Sequence, residues 1–264
     1  MNITLVKIGG SIVDDSEKLE AFLDQFAKIH PPKILVHGGG NIASEIGSEL
    51  SIEPKMHEGR RITDEATLRL VTMVYGGLIN KQLVAKLQKR GVDAMGLTGA
   101  DGDVIRAHKR PVEEVDYGYV GDINTVNGKF IEELLNDSKT PVFAPLTHDG
   151  QGSMLNTNGD GIACHVASEL ANEHEVRLLF GFELDGVLED LNNPDSLIQE
   201  MDKAYYERMR EQGKISEGMI PKLENCFWAL ERGVDHVHIC NALAVGDVII
   251  GNGKSTSFSL NEEE

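Results

Sequence analysis

The 264-residue sequence predicts an α/β fold, and the clearest observation behind that prediction is the segment 33–50. An apolar run at 34–36 (ILV) is followed by three glycines at 38–40 and then by apolar residues spaced four apart. This order is typical of a strand, a glycine turn and a helix. A closely similar segment, 5–11 (LVKIGGS), opens the chain. The length allows one large α/β domain or two lobes.

Glycine turns of this kind are suited to an anion. Glycine lets the backbone approach a ligand closely, and a helix start offers unpaired N–H groups and the positive end of the helix dipole. The simplest ligand is a phosphate or a carboxylate. A tight turn that binds nothing explains a single segment equally well. The pattern G-x-G-x-x-G is absent, so these turns are not a dinucleotide fingerprint.

The net charge of -18 constrains the partners of this protein. Nucleic acids and anionic membranes repel such a surface, so neither is an expected partner. An anionic substrate must then be held by locally placed Lys and Arg side chains. No apolar stretch is long enough to span a bilayer. The three cysteines contain no C-x-x-C pair, which predicts reduced thiols and a cytoplasmic location.

Lys7 lies near the end of the predicted strand 3–8, which is apolar on both faces. A lysine is rarely buried unless it is paired. Lys7 is therefore either a strand-end lysine whose ammonium reaches solvent, or a lysine directed at a site beside Gly9 and Gly10.

Lys222 follows Pro221 at the start of the predicted helix 215–232. A cation in a first turn is disfavoured by the helix dipole by roughly 0.3–1 kcal/mol. A locally unfavourable residue favours a functional role, unless Glu224 or solvent compensates for it.

Two aspartates are predicted helix caps. Asp14 forms a capping box with Glu17 at the start of a predicted helix that carries Leu19, Phe22, Leu23 and Phe26 on one face. Asp160 precedes the predicted helix 161–172, where an N-cap is its simplest role. The alternative for Asp160 is a carboxylate that holds two lysines in position.

Arg60 and Arg61 lie at a predicted junction between a loop and a long helix that begins at Thr63. Gly76-Gly77 interrupts the pattern of this helix, which predicts a kink or close packing there. The two arginines are either a solvated pair or a clamp for a carboxylate, which the planar guanidinium group fits well.

Two sequence patterns are rejected as ligand sites. Residues 253–255 (GKS) resemble the end of a P-loop, but Val248 stands where its first glycine belongs. His236, His238 and Cys240 alternate along a predicted strand, but neighbouring strand residues rarely give tetrahedral geometry without a fourth ligand. No protein metal ligand is therefore assigned.

An ordered set of motifs runs along most of the chain. The motifs are Lys7-Ile8-Gly9-Gly10, His37-Gly38-Gly39-Gly40, Gly59-Arg60-Arg61-Ile62-Thr63-Asp64, Gly96-Leu97-Thr98-Gly99, Gly118-Tyr119-Val120-Gly121, residues 156–160 (NTNGD) and Gly218-Met219-Ile220-Pro221-Lys222. In this order they resemble the acetylglutamate kinases of the amino acid kinase superfamily.

The resemblance implies a fold and a reaction. The fold is a three-layer α/β/α sandwich around a mainly parallel, roughly eight-stranded sheet. Residues 1–172 would form an N-terminal lobe for acylglutamate binding and dimerisation, and residues 173–264 a C-terminal lobe for ATP. The side-chain carboxylate of an N-acylglutamate would attack the γ-phosphoryl group of ATP, a step of arginine biosynthesis.

The resemblance also implies residue roles. Catalysis would depend on three residues, Lys7, Asp160 and Lys222. The acylglutamate would contact Gly39, Gly40, Arg61 and Asn156. The nucleotide and its phosphates would contact Gly9, Gly10, Asp185, Gly186, Ile215 and Ser216. Mg²⁺ would arrive with ATP, without an assigned protein ligand.

The resemblance implies N-acetyl-L-glutamate as the substrate, and departures from the family pattern leave N-succinyl-L-glutamate as an alternative. Residues 182–186 (FELDG) replace the usual Ser/Thr-Asp-Val-x-Gly turn at the nucleotide. Arg60 replaces an aliphatic residue and could read a second carboxylate, as in N-succinyl-L-glutamate. Two different functions also fit the pattern in part: a small-anion kinase such as isopentenyl phosphate kinase, and a catalytically silent metabolite-binding regulator. Arginine-sensitive members of the family carry an extra N-terminal helix that links dimers into a hexamer. Because the first strand here begins at about Ile3, the resemblance implies a homodimer that is insensitive to arginine.

Overall fold

A computed structural model describes residues 1–57, 60–190, 192–216 and 218–260. The side chain of Arg60 lies outside the described part of the chain. The strands are β1 (Asn2–Ile8), β2 (Lys33–His37), β3 (Lys55–His57), β4 (Arg60–Ile62), β5 (Ala94–Leu97), β6 (Ile105–Lys109), β7 (Gly121–Val126), β8 (Thr140–Phe143), β9 (Leu146–His148), β10 (Met154–Asn156), β11 (Glu175–Phe182), β12 (Glu200–Asp202), β13 (His236–Asn241) and β14 (Ser255–Ser259).

The α-helices alternate with these strands. They are α1 (Gly10–Asp14), α2 (Ser16–Lys28), α3 (Ile42–Glu49), α4 (Glu65–Val71), α5 (Asn80–Gln88), α6 (Gly128–Asn136), α7 (Gly159–Ala171), α8 (Lys203–Glu211), α9 (Ile220–Leu230) and α10 (Val245–Ile249). A π-helix, Thr72–Ile79, joins α4 to α5, and short 3₁₀ turns lie at Asp101–Asp103 and Ala242–Ala244.

Within the described ranges, eight strands form the central sheet in the order β12-β14-β13-β11-β1-β2-β8-β5. Neighbouring strands are parallel except β13 and β14, which are antiparallel. Parallel strands are usually buried on both faces, and β1 follows this rule. Its Ile3 and Leu5 belong to the core shared with α7, while Val6 and Ile8 belong to the core shared with α2. The predicted α/β/α sandwich around a mainly parallel sheet is confirmed.

Two smaller sheets lie outside the central one. Strands β10-β9-β6-β7 form one, and the hairpin β3–β4 forms the other. Isolated bridges from Thr63 to Gly118 and from Val120 to Asn156 tie the hairpin and β10 to the segment between β6 and β7. The predicted junction at Arg60 and Arg61 is therefore wrong in its geometry: both residues lie on β4.

The predicted long helix is interrupted. Its first helical residue is Glu65, and its N-cap is Asp64, whose carboxylate accepts the Thr67 N–H. The π-helix covers the Gly76-Gly77 pair that breaks the sequence pattern. A Cβ on Gly76 would lie 3.2 Å from Leu146 Cδ1, so the π-helix packs closely against β9 at this glycine.

Both predicted aspartate caps are wrong by one or two residues. Asp15, not Asp14, caps α2 by accepting the N–H groups of Glu17 and Lys18, because α1 already occupies the chain as far as Asp14. Asn158, not Asp160, caps α7 by accepting the Asp160 N–H at 2.7 Å. The carboxylates of Asp14 and Asp160 are thereby left for different contacts.

His37, at the end of β2, is fully buried between the sheet and α5. Its Nδ1 lies 2.9 Å from the Gly38 carbonyl oxygen, to which it donates. The Asn80 amide, 3.1 Å from His37 Nε2, donates to that nitrogen and to the Val142 carbonyl. Burial lowers the pKa of His37 to about 4. This network therefore requires a neutral imidazole.

We expect His37 to make the fold sensitive to acid. The pKa of His37 is lower in the folded than in the unfolded chain. Its contribution to the unfolding free energy is therefore present above about pH 6.5 and is lost as the pH falls through about 4. The difference corresponds to about 3 kcal/mol of unfolding free energy. Urea unfolding between pH 7 and 4.5 should show that the unfolding free energy falls more steeply with decreasing pH for the parent than for His37→Gln. His108→Gln, at an exposed histidine, should follow the parent. Equal pH slopes for the parent and His37→Gln would contradict this expectation.

Candidate active site

The candidate site lies at the carboxyl ends of β1 and β2, where two glycine turns and the starts of two helices meet. In open parallel sheets ligands bind at this edge of the strands. The glycine turns follow β1 at 9–10 and β2 at 38–40. The helices are α7 and α9, which pack on the same side of the sheet. The elements that carry the predicted catalytic residues therefore converge at one edge.

Lys7 and Asp160 form an ion pair across these elements. Lys7 Nζ lies 2.5 Å from Asp160 Oδ1, and their side chains are 8% and 13% exposed. Asp160 can reach the lysine because Asn158 caps the helix in its place. A buried lysine without a partner would be costly. The geometry of this pair is therefore consistent with Asp160 as a carboxylate that holds Lys7 in position.

Lys222 approaches the same carboxylate from α9. It is half-buried in the first turn of that helix, just after Pro221. Burial lowers the pKa of the Lys222 amine; the Asp160 carboxylate opposes this shift, and the Lys7 ammonium adds to it. Lys7 is thus paired with the Asp160 carboxylate, and Lys222 lies within its electrostatic influence. The excess positive charge makes this point of an otherwise acidic protein attractive to an anion.

The two glycine turns touch each other closely. A Cβ on Gly10 would lie 2.5 Å from Gly40 Cα, and one on Gly38 would lie 3.0 Å from the Gly10 nitrogen. Gly40 also has a φ of +61°, a conformation that side chains rarely adopt. No other residue type fits these contacts. The turn after β1 and the turn after β2 therefore lie directly against each other.

The N-terminus of α3 already has an anionic partner. The Asp14 carboxylate accepts the Asn41 N–H with distances of 2.8 and 3.0 Å. The Gly38 N–H donates to the Ile8 carbonyl at 2.9 Å. An external anion would therefore meet the turn at Gly39 and Gly40, between these two satisfied groups.

Arg61 is held by neighbours that the sequence did not single out. Its Nη2 donates to Ser44 Oγ at 2.8 Å, and it interacts with the hydroxyl of Tyr75, whose pKa burial raises. The Tyr75 ring also fills the space that a side chain on Gly39 would need. Tyr75 lies on the π-helix, a feature often found at functional sites. The Gly76-Gly77 interruption was its only sequence signal.

Asn156 is linked to Arg61 through one threonine. The Asn156 amide donates to Thr63 Oγ1 at 3.0 Å, and Thr63 Oγ1 donates to the Arg61 carbonyl at 3.2 Å. Two residues that are distant in sequence therefore belong to one polar network. Thr63 is a further residue that sequence analysis gave no role.

A cavity of about 360 Å³ lies between the segment that follows β11, residue Met209 of α8 and the segment that precedes α9. Its size falls in the range of small-molecule sites. Its lining includes Gly186, Val187, Met209, Ile215, Ser216 and Met219. Three of the six predicted nucleotide contacts, Gly186, Ile215 and Ser216, thus line one cavity. Asp185 lies next to it, with Asn241 Nδ2 at 3.4 Å and Lys254 Nζ at 3.9 Å from its carboxylate oxygens.

The described part of the chain has neither a metal-ligand cluster nor a membrane-spanning helix. The described ranges contain no group of three His, Cys, Asp or Glu side chains that could hold a metal ion. His236, His238 and Cys240 lie on β13 without forming such a group. None of the helices there is both long and apolar enough to cross a bilayer.

Comparison with known proteins places this geometry in a family. The model of the amino acid kinase family matches residues 2–241. An acetylglutamate kinase of Bacteroides thetaiotaomicron is 53% identical over 245 residues, which cover 93% of this chain and 95% of that protein. One of Parabacteroides distasonis is 52% identical over 240 residues, covering 91% and 94%. The crystal structure of smu.665 from Streptococcus mutans UA159 is 28% identical with a TM-score of 0.77, covering 98% and 99%. The chain belongs to the amino acid kinase family.

Proposed function

We propose that this protein is an acetylglutamate kinase, which transfers the γ-phosphoryl group of ATP to the side-chain carboxylate of N-acetyl-L-glutamate in arginine biosynthesis. The observation that carries the proposal is the cluster of Lys7, Asp160 and Lys222 beside the two glycine turns. Curated relatives with this activity in their names are about half identical to the chain over more than nine-tenths of its length.

The chemistry explains why the cluster carries excess positive charge. A carboxylate oxygen attacks the γ-phosphorus while the bond to the bridging oxygen breaks, and the electron pair of that bond leaves with ADP. The attacking carboxylate is already ionised at neutral pH, so no general base is needed. The difficulty is bringing one anion to another and stabilising charge on the transferring group. Lys7 and Lys222 supply that charge, and Asp160 keeps the two ammonium groups in place.

The acylglutamate would lie between the glycine turns and the hairpin β3–β4. Arg61 would pair with its α-carboxylate, oriented by Ser44 and Tyr75. Asn156 would bind its amide end, oriented by Thr63. The N–H groups of Gly39 and Gly40 would face the carboxylate that reacts. The two side chains in this arrangement, Arg61 and Asn156, are already held in a fixed direction by their neighbours.

ATP would enter from the opposite side of the lysines. The cavity lined by Gly186, Ile215 and Ser216 would hold the nucleoside, beside Asp185. Its phosphates would extend towards Gly9 and Gly10. Mg²⁺ would neutralise charge on the phosphates and would be held mainly by phosphate oxygens and water.

The assembly and division of labour are also part of the proposal. Residues 1–172 would form the acylglutamate-binding and dimerising lobe, and residues 173–264 the ATP-binding lobe, in a cytoplasmic homodimer. Arg61 and the Ser44 that contacts it belong to the first part, and the 360 Å³ cavity to the second. The buried, unpaired cysteines Cys164, Cys226 and Cys240 suit a reducing compartment.

We expect N-acetyl-L-glutamate to give the highest kcat/KM in an ADP-release assay. The panel would contain N-succinyl-L-glutamate, isopentenyl phosphate and free L-glutamate as comparisons. A charge-assisted contact from Arg60 to a succinyl carboxylate would instead favour that substrate by about tenfold or more, and Arg60→Leu would remove the preference. Preference for isopentenyl phosphate, or no ADP release with any acylglutamate, would overturn the proposal.

We expect Lys7→Ala and Lys222→Ala each to lower turnover by about 10²–10³-fold. Each removes a main charge contact with the transferring group, which contributes roughly 3–4 kcal/mol to transition-state stabilisation. Steady-state kinetics would measure the loss, and thermal melts would check that each variant is folded. Lys139→Ala, at a solvent-accessible pair with Asp93, is the matched control. Turnover near the parent value in either variant would remove that lysine from the mechanism.

We expect Asp160→Asn to lower turnover by about 100-fold while the protein stays folded at the assay temperature. Asparagine keeps an oxygen for Lys7 but removes the charge that holds the two lysines, a loss on the order of 3 kcal/mol. Asn158→Ala is the complementary control. It removes the cap and should lower the unfolding free energy by about 1 kcal/mol, with turnover within a few-fold of the parent. Unchanged turnover in Asp160→Asn would assign that aspartate a structural role only.

A further inference from the structure

The aromatic ring of Phe182 lies against both lysines of the candidate site. Lys222 Nζ is 4.1 Å from the ring centroid, and Lys7 Nζ is 5.7 Å from it. Both distances fall within the range of a cation–π contact. Phe182 is the last residue of β11, and it begins the segment 182–186 that departs from the family pattern.

The ring is held firmly in this position. It stacks on Phe180 with 6.4 Å between the centroids and 5° between the planes. The strand end pairs with β13 at Asn241, whose amide donates to the Glu183 carbonyl at 3.1 Å. Glu183 itself is paired with Lys18 at 2.6 Å, so its charge is directed away from the cluster. Phe182 is therefore a half-buried, fixed surface between the lysines and the cavity that begins at Leu184.

We propose that Phe182 is a positioning residue for phosphoryl transfer: its ring face holds the Lys222 ammonium, and more weakly that of Lys7, beside Asp160 in the orientation that meets the transferring phosphoryl group. This inference rests on the proposed kinase function. It adds a residue to the site that neither the sequence motifs nor the comparisons assign.

An aromatic ring suits this task better than a second carboxylate. A carboxylate would take N–H donors of the ammonium in directed hydrogen bonds and cancel the remaining positive charge of the cluster. The ring attracts the ammonium through its quadrupole and forms no such directed bonds. The N–H donors of Lys222 therefore remain available to phosphate oxygens, and the excess charge is retained for the anion.

The ring also affects the protonation of Lys222. Burial lowers the pKa of this amine, Asp160 of α7 opposes the shift and Lys7 of β1 adds to it. A ring face stabilises the charged form, in the same direction as Asp160. Weakening the ring quadrupole should therefore move the alkaline limb of the kcat profile to lower pH.

The test is a series of Phe182 replacements with increasing ring fluorination, 4-fluoro-, 3,4-difluoro- and 3,4,5-trifluorophenylalanine. Fluorination weakens the quadrupole with little change of shape, so the fold is kept. We expect log kcat to fall stepwise along the series and the alkaline limb to move to lower pH, while KM for the acylglutamate changes little. Phe182→Leu should lower kcat by about three- to thirty-fold, and Phe182→Tyr should restore most of it.

Two references make the outcome unambiguous. Phe130→Leu, at another partly buried phenylalanine, measures the general effect of this replacement and should leave kcat and the pH profile near the parent. Equal kcat and alkaline limb along the fluorinated series would overturn the role of Phe182 while the parent remains an active kinase. A parent without kinase activity would contradict the proposed function instead.

Reductive ¹³C-methylation of the lysines would then test the ring contact alone. We expect the Lys222 methyl signal to lose its ring-current shift in Phe182→Leu. An unchanged shift would overturn the contact between the Phe182 ring and Lys222.

Discussion

The buried contact between Lys7 and Asp160 is the interaction on which the site depends. Removing two charges from water is costly, and their attraction offsets that cost only if the geometry is good. The 2.5 Å separation requires β1 and α7 to be in place together. Once they are, the carboxylate carries charge to share with Lys222 from α9. The ion pair thereby connects the centre of the sheet to both helices that reach the site.

A second constraint acts through the backbone. The turns after β1 and β2 approach so closely that a single Cβ on Gly10 would collide with Gly40. The Tyr75 ring fills the space beside Gly39. The Asp14 carboxylate accepts a hydrogen bond from the N–H of Asn41, the N-cap residue of α3. Flexible glycines are thus held rigid by their surroundings. A surface that is fixed before the ligand arrives costs little reorganisation when charge develops in the reaction.

The chain order of strands, glycine turns and helices could be read from periodicity, whereas the parallel sheet was implied by the family resemblance; strands that are apolar on both faces are compatible with it. Lys7 and Lys222 stood out because each is locally unfavourable where it stands, and their catalytic roles were implied by the resemblance. The caps at Asp15 and Asn158 were missed because Asp and Asn at neighbouring positions have similar cap preferences. The π-helix, with Tyr75 on it, has no distinctive sequence period. In the sequence, Phe182 was only part of a segment that departs from the family motif. Its neighbours along the chain do not indicate which residues its ring contacts.

The sequence by itself determined which elements form and which residue types are available, since these follow from local propensity and from the spacing of apolar residues. It also determined that any anion must be bound against a net charge of -18 by a few local cations. Only the tertiary structure decided which of those cations meet. Lys7, Asp160, Phe182 and Lys222 are spread over more than two hundred positions, and crossing connections in a parallel sheet bring such residues to one edge. Their distances depend on how helices pack across that sheet, which no local pattern encodes.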